Sequence, residues 1–540
     1  MRNCQFNALL NLLKLFIPRL TSTLFAQEET THAGRVKWNA VQNYIASVKY
    51  HHGSQLNNDT RWILKNLLIV GFFICFTSCN HDKLKKLSEI KSNAKISFPS
   101  DFMIGVSSSA YQIEGAYNED GKGESNWDKF SNTPGNVKIN GNITADHYHR
   151  YKEDVQLLKK LGVKSYRFSI AWTRIYPDGT GKINQKGIDF YKDLVKLLKE
   201  NEIEPIVTLF HWDLPQKLED KGGWANRETA DAFENYATTM FKELGSDVTW
   251  WTTFNEPWVT CFMGYWIGDY APGKKDLPTA LQCTHNILLA HGKAVKALRK
   301  INSKAKIGIT LDLQMALPVD PTNSEDLKAA QIINNSHHAW FADPIFFGKY
   351  PKDIIELYKK QKVSLPEIQP GDMELINQKI DYLGLNFYNT ESFKMSDGKG
   401  WWPYKVESVK DDKKLYMDKS IDASGLYIIL KYLDHKYNHT KILITENGCF
   451  NEDYVNQKGE VNDEIRIEYI YKHLEMCKKA MDEGVDLIGY TNWSFLDDYE
   501  WGDFGRMGMV YVNFKTQERI IKKSGYWYAR CIKENAFNIE

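Results

Sequence analysis

Between Asp101 and Ser494 the sequence repeats one pattern eight times: a short run of β-forming residues, then a longer amphipathic stretch. The strand-like runs are Asp101–Ser109, Ser165–Trp172, Pro205–Trp212, Trp250–Asn255, Lys306–Leu313, Asp381–Tyr388, Lys441–Thr445 and Leu487–Ser494. Helical spacing of apolar residues shows between them. Tyr151–Leu161 carries Val155, Leu158 and Leu161, Gly187–Asn201 carries Phe190, Leu194, Leu197 and Leu198, and Ile465–Met481 carries Ile470, Leu474, Cys477 and Met481. Eight strands alternating with helices over about 440 residues suit an α/β fold, a single closed (β/α)8 TIM barrel with insertions. A doubly wound open sheet also alternates in this way, but no Gly-x-Gly-x-x-Gly opens a helix after any strand.

The second run supports closure. Ser165, Arg167, Ser169 and Ala171 alternate with Tyr166, Phe168, Ile170 and Trp172. Small and polar residues then face the barrel interior, and large apolar ones face the helices. An inward arginine needs carboxylate partners. Chemistry in such barrels sits at the C-terminal ends of the strands, and the conspicuous polar residues fall there. Gln112 and Glu114 follow run one, and His211, Trp212 and Asp213 lie at or after the end of run three. Asn255 and Glu256 end run four, Asn386 and Tyr388 run six, and Glu446 run seven; Trp493, Asp497, Asp498, Glu500 and Trp501 lie at or after run eight. Two carboxylates on two strand ends, Glu256 and Glu446, are the minimum needed to cleave a glycosidic bond with retention of configuration.

Composition narrows the alternatives. The 540 residues are 43% hydrophobic and 25% charged, with a net charge of +1. This is ample for a large core, and the charge balance argues against nucleic acid or an acidic membrane surface as partner. Aromatic residues make up 13%, enough to stack on sugar faces as well as fill a core. The eight cysteines are scattered without metal-ligand spacing, so no metal and no cofactor is expected. Cys261, Cys283, Cys449, Cys477 and Cys531 read as buried free thiols, Cys449 included despite its closeness to Glu446. His147, His149, His285 and His291 read as packing or capping residues.

The N-terminus, residues 1–95, reads as an extension outside the barrel of 96–540. The apolar run Leu67–Phe76 follows Lys65 and precedes Thr77, Ser78 and Cys79. That order describes a secretory signal, and it is too short for a membrane span of about 20 residues. Phe76–Cys79 is similar to a bacterial lipobox, making Cys79 a lipidation candidate and implying an exported, periplasmic or outer-membrane-anchored lipoprotein, with an unprocessed membrane anchor as the alternative reading of the apolar run. The signal segment, about 64–79, is preceded by a long stretch with no Met between Met1 and Met103. Initiation near Leu64 is therefore expected, with a first signal at Phe6–Gln27 as the alternative; a cytoplasmic protein is the alternative location.

Together these residues resemble glycoside hydrolase family 1, the β-glucosidases and related β-glycosidases, from about Phe98 to Ile532. The resemblance is carried by Ser109–Gly115, Tyr166–Trp172, His211–Gln216, Thr253–Pro257, Trp340–Pro344, Leu385–Tyr388, Ile444–Gly448 and Thr491–Asp497. It implies a single (β/α)8 barrel, Glu256 as general acid/base and Glu446 as nucleophile. Arg167, Asn386 and Tyr388 are then the nucleophile's supports. Gln112, His211, Asn255, Glu500 and Trp501 are implied to bind the hydroxyls of the non-reducing sugar, and Trp493 to stack beneath its ring. The implied substrate is a small β-glycoside or oligosaccharide, cleaved from its non-reducing end. β-Glucosidase is the leading activity, and β-galactosidase, β-fucosidase and β-mannosidase are alternatives. A non-catalytic glycan-binding barrel is the alternative of another class. Oligomeric state is not legible.

Three departures from the family pattern stand out. Asp497-Asp498 replaces the usual Asp-Asn. The loop Gly502–Arg506 is shortened beside the sugar's 6-position. The Gly-Trp pair ahead of run seven, whose Trp meets the aglycone, is missing from Ile421–Leu426, with Trp401-Trp402 as a candidate substitute. Glu500 opposes a 6-phosphate, and Glu256 (not Gln) points to O-glycosides.

Overall fold

The computed structural model describes residues 95–396, 400, 402–409 and 423–539, with the backbone of 415–416 and 419–420. The signal-like segment and Cys79 lie outside the described residues. Eight parallel strands close a barrel: β1 (Met103–Ser107), β2 (Ser165–Ser169), β3 (Glu204–Phe210), β4 (Trp250–Asn255), β5 (Lys306–Asp312), β6 (Tyr382–Asn386), β7 (Ile442–Glu446) and β8 (Leu487–Trp493). Each pairs with the next, and β8 closes onto β1 through Met103 opposite Gly489 and Ser107 opposite Trp493.

Helices cover the outside. The main ones are α1 (His147–Leu161), α2 (Gln185–Glu200), α3 (Glu228–Leu244), α4 (Leu277–Ile301), α5 (Trp340–Phe347), α6 (Ser424–Lys436), α7 (Glu464–Asp482) and, after β8, α8 (Lys523–Glu534). The sequence explains their limits. Asp276 caps α4, its carboxylate accepting from Thr279 N–H at 2.9 Å, and Gly162 ends α1 at φ 66°. On α2, Ile188, Tyr191, Leu194, Val195 and Leu198 form the buried stripe that meets the sheet.

Strand β2 alternates as its sequence implies. Tyr166 and Phe168 stack on one face with ring centroids 5.5 Å apart, while Arg167 reaches into the barrel toward Glu446 and Asn255. It is shorter than its sequence suggests, because Trp172 begins a short helix, Trp172–Ile175, instead of ending the strand. Of the histidines read as packing, His147 bonds Asp154, His285 bonds Asp372 and Tyr350, and His291 bonds Thr253. His149 bonds Asp146 and Glu119 at the surface. Cys261, Cys283, Cys449, Cys477 and Cys531 are buried and unpaired, and burial pushes the Cys449 thiol up to about 11.

Long connections build the mouth at the C-terminal end of the barrel. A three-stranded sheet of Ala316–Pro318, Glu391–Met395 and Val406–Val409 stands beyond β5 and β6. Beyond β8, Asp498–Tyr499 pairs with Phe504–Gly505 in a hairpin. A buried ionic network ties that hairpin down: Lys522 Nζ bridges Asp453 (2.5 Å) and Asp497 (2.6 Å), Asp497 also binds Arg506 (2.7 Å), and Arg466 binds Asp453 and Asp463.

Candidate active site

A cavity of about 350 Å³ opens at the C-terminal ends of the strands, lined by Gln112, His211, Glu256, Tyr388, Glu446, Trp493, Glu500 and Trp501 among others. Asn255, Asn386 and Arg167 lie fully buried against it. The residues expected to act as catalytic, supporting and sugar-binding groups therefore meet in one place. They come from β2, β4, β6, β7 and β8, the turn after β3, and the loops after β1 and β8.

The two glutamates have different surroundings. Glu446 ends β7; its Oε1 accepts from Arg167 Nη1 at 2.7 Å and its Oε2 from Tyr388 Oη at 2.7 Å. Burial raises this carboxyl, and Arg167, Tyr388 and Asn386 offset part of the rise. Glu256 follows β4 at φ 45°, in the left-handed region, a strain of about 1–3 kcal/mol for a residue with a side chain. Its N–H is tied to Thr310 O at 3.0 Å, and Asn386 Nδ2 donates to its Oε1 at 2.8 Å. Burial pushes its carboxyl far above the usual range, and the charges of Glu446 and Asp312 push the same way. Two nearby carboxyls that cannot both ionise share one proton; with the arginine on Glu446, that proton rests on Glu256.

Asn386, expected beside Glu446, in fact lies between the two carboxyls. It donates to Glu256 and to Asn255 Oδ1 (3.1 Å), and accepts from Thr445 Oγ1 at 2.7 Å. Because Asn255 Oδ1 also accepts from Arg167 Nη2 at 2.6 Å, its Nδ2 must face His211 Nε2, 3.1 Å away. His211 is held neutral by burial and by Arg167, so Nε2 accepts and Nδ1 carries the proton. That buried Nδ1–H has no protein partner among the described residues, and His211 lines the cavity, so the proton is available to a ligand oxygen. Glu500 Oε1 accepts from Gln112 Nε2 (3.2 Å) and Trp493 Nε1 (3.1 Å). Trp501 packs on Trp212, with ring centroids 4.2 Å apart, and on Tyr111 at 5.9 Å.

Other polar residues at the strand ends sort away from the cavity. Glu114 binds Arg174 (2.7 Å) and Tyr191 (2.7 Å), Asp213 is buried outside the cavity lining, and Asp497 serves the ionic network. The aglycone-side substitute also differs from expectation. Trp401 lies outside the described residues, and Trp402 is half exposed and absent from the cavity lining. Trp258, Val259, Met263 and Phe393 line the mouth instead. Three residues there were not singled out in the sequence: Asp312 at the end of β5, His337, whose Nε2 lies 2.7 Å from Asp312 Oδ2, and Trp258, which stacks on His337 at 4.2 Å. Only Asp312 carried a signal, as an acidic residue at the end of an apolar strand. Among the described residues no group of three or more His, Cys, Asp or Glu could hold a metal ion.

A closed (β/α)8 barrel with two such glutamates at its C-terminal face defines a barrel hydrolase of the glycosidase type. The chain belongs to glycosyl hydrolase family 1, whose pattern matches residues 94–537. It is 48% identical over 453 residues to beta-glucosidase A of Acetivibrio thermocellus, covering 82% of this chain and all of that one. It is 38% identical over 470 residues to an aryl-phospho-beta-D-glucosidase of Bacillus subtilis, covering 81% and 98%. The family 1 b-glucosidase from Thermotoga maritima superposes with a TM-score of 0.78 at 43% identity, covering 82% of this chain and 99% of that structure.

Proposed function

We propose that the protein is a retaining exo-β-glycosidase that releases terminal β-D-glucosyl residues. The observation that carries this reading is the asymmetry of the two glutamates, one paired to Arg167 and one holding the shared proton. Ionised Glu446 attacks the anomeric carbon as protonated Glu256 gives its proton to the departing glycosidic oxygen. The C–O bond to the aglycone breaks and a glycosyl ester on Glu446 forms. That ester is uncharged, so Glu256 loses the repulsion that kept it protonated and takes a proton from water. The hydroxyl attacks the same carbon, and the second inversion restores the β-configuration. Arg167 and Tyr388 then receive the returning Glu446 carboxylate.

His211, Asn255, Gln112 and Glu500 supply donors and acceptors for the sugar hydroxyls, and Trp493 a ring face. The exo mode is carried over from the family. Preference for an unphosphorylated glucoside is supported by Glu500, which would repel a 6-phosphate. Export with a lipid on Cys79 rests on the sequence alone, and the mass of the native N-terminal peptide tests it. The experiment for the activity is a panel of 4-nitrophenyl β-glycosides: glucoside, galactoside, fucoside, mannoside and glucoside 6-phosphate. The glucoside should have the highest kcat/KM. A preference for the 6-phosphate, or no turnover of any member, would contradict the reading.

A further inference from the structure

Asp498 and Glu500 share one hairpin, and their carboxyl groups converge. Gly505 is opposite Asp498 in register, and a Cβ placed on it would fall 2.2 Å from Glu500 Cγ and 3.0 Å from Asp498 Oδ1. Asp498 is completely buried, and no hydrogen bond of ordinary geometry reaches either of its oxygens. The polar groups beside it are the Ser494 hydroxyl and the Glu500 carboxyl. Ser494 donates its single proton to Leu496 O at 2.6 Å, so it offers Asp498 a lone pair and no donor. Glu500 Oε1 already accepts from Gln112 and Trp493, which favours the ionised form of Glu500.

No cation is spare. Asp497, the preceding residue, takes both Arg506 and Lys522. The helix Ala110–Ile113, packed against the hairpin, brings Gln112 and Tyr111, and the hairpin itself brings Tyr499, whose ring meets Tyr111 at 5.8 Å. Both tyrosines are held protonated by burial. A second bare carboxylate here would face Glu500 in a dry site with nothing to offset it. Burial, then the charges of Glu500 and Asp497, push the Asp498 carboxyl well above the usual carboxylate range.

We propose that Asp498 keeps its proton at neutral pH and hydrogen-bonds through it to the Glu500 carboxylate, acting as a positioning residue for the sugar-binding hairpin. What the hairpin holds rests on the β-glycosidase reading above. The family's usual asparagine provides a permanent neutral donor at this position; aspartic acid provides one only while protonated. Raising the pH removes the proton, leaves two facing carboxylates and loosens the grip of Glu500 on the sugar. This affects KM, whereas kcat follows Glu256.

The test compares the full-length wild type with Asp498→Asn. On 4-nitrophenyl β-glucoside, wild-type KM should rise about tenfold along the alkaline limb while the variant's stays nearly flat, with the kcat limbs unchanged in position. Thermal unfolding gives a readout that needs no substrate. A carboxyl whose pKa is raised by folding stabilises the fold below its unfolded value and loses that stability as pH rises through its folded value. The Tm advantage of Asp498→Asn should therefore widen as pH rises. Superimposable KM profiles, or a Tm gap constant with pH, overturn the proposal. If the asparagine variant does not fold, Asp498→Ser provides the same neutral comparison. Should the wild type turn over no β-glycoside, the function reading fails, and the Tm gap still decides this one.

Discussion

Arg167 and Glu446 form a buried ion pair across the barrel, Nη1 to Oε1 at 2.7 Å, with both side chains at most 4% exposed. The second guanidinium nitrogen holds Asn255, so one arginine fixes a residue at each strand end that carries a site glutamate. Breaking a buried pair from one side leaves an uncompensated charge, at a cost of about 3–5 kcal/mol. Arg167→Met should lower kcat/KM about a hundredfold or more and move the acidic limb of the pH profile upward, because Glu446 loses the charge that keeps it ionised. Arg167→Lys should restore the position of the limb but only part of the rate, since one ammonium cannot serve Glu446 and Asn255 together. A limb unmoved in Arg167→Met would count against this role.

Tyr388 donates to the other oxygen of Glu446. A hydrogen bond to a charged group is worth about 1.5–3 kcal/mol. Tyr388→Phe should lower kcat about tenfold to a hundredfold with little change in KM. Steady-state kinetics on an activated glucoside checks this, and a loss confined to KM would place Tyr388 in sugar binding instead.

Asp312 pushes the Glu256 carboxyl up from the cavity mouth. Activity needs Glu256 protonated, so kcat/KM falls as pH rises through its folded-state pKa. Removing the Asp312 charge lowers that pKa, and Asp312→Asn should move the alkaline limb to lower pH while the plateau kcat stays near that of the wild type. The pH profile of kcat/KM decides; a limb in its original place would show that Asp312 acts only as a partner for His337.

Lys522 lies wholly buried between Asp453 and Asp497. Lys522→Met keeps the volume but leaves Asp453 to Arg466 alone and Asp497 to Arg506 alone, so the buried network holds one charge too few and the fold should lose about 3–5 kcal/mol. Its Tm should drop by several degrees. An unchanged Tm would mean that Arg466 and Arg506 suffice for Asp453 and Asp497.

The barrel was legible because each strand and helix carries its own period, and Glu256, Glu446, Asn255, Asn386 and Trp493 were legible because they sit where those periods end. Geometry set by long connections was not. Asp312 and His337 are 25 residues apart in sequence and meet only because the helical segment from Ser324 to Ala339 returns to the mouth. The aglycone wall of Trp258, Val259, Met263 and Phe393 draws on two separate connections, so no local pattern announced it. Asn386 was read as a support of Glu446, and its amide serves Glu256 as well, a second contact that depends on the register of β6 against β7 and on the turn of Glu256 to positive φ. Asp498 was visible as a departure from the family, and its meaning came only with the hairpin that buries it.

The central claim is the division of labour between Glu446 and Glu256, and azide tests it most directly. With an activated aryl β-glucoside, azide should rescue Glu446→Ala to give the α-glucosyl azide, because azide attacks the vacated face once. Glu256→Ala should instead give the β-glucosyl azide, by way of the intermediate on Glu446. The opposite pairing of products and variants, or full hydrolysis by Glu446→Ala without azide, would contradict the assignment.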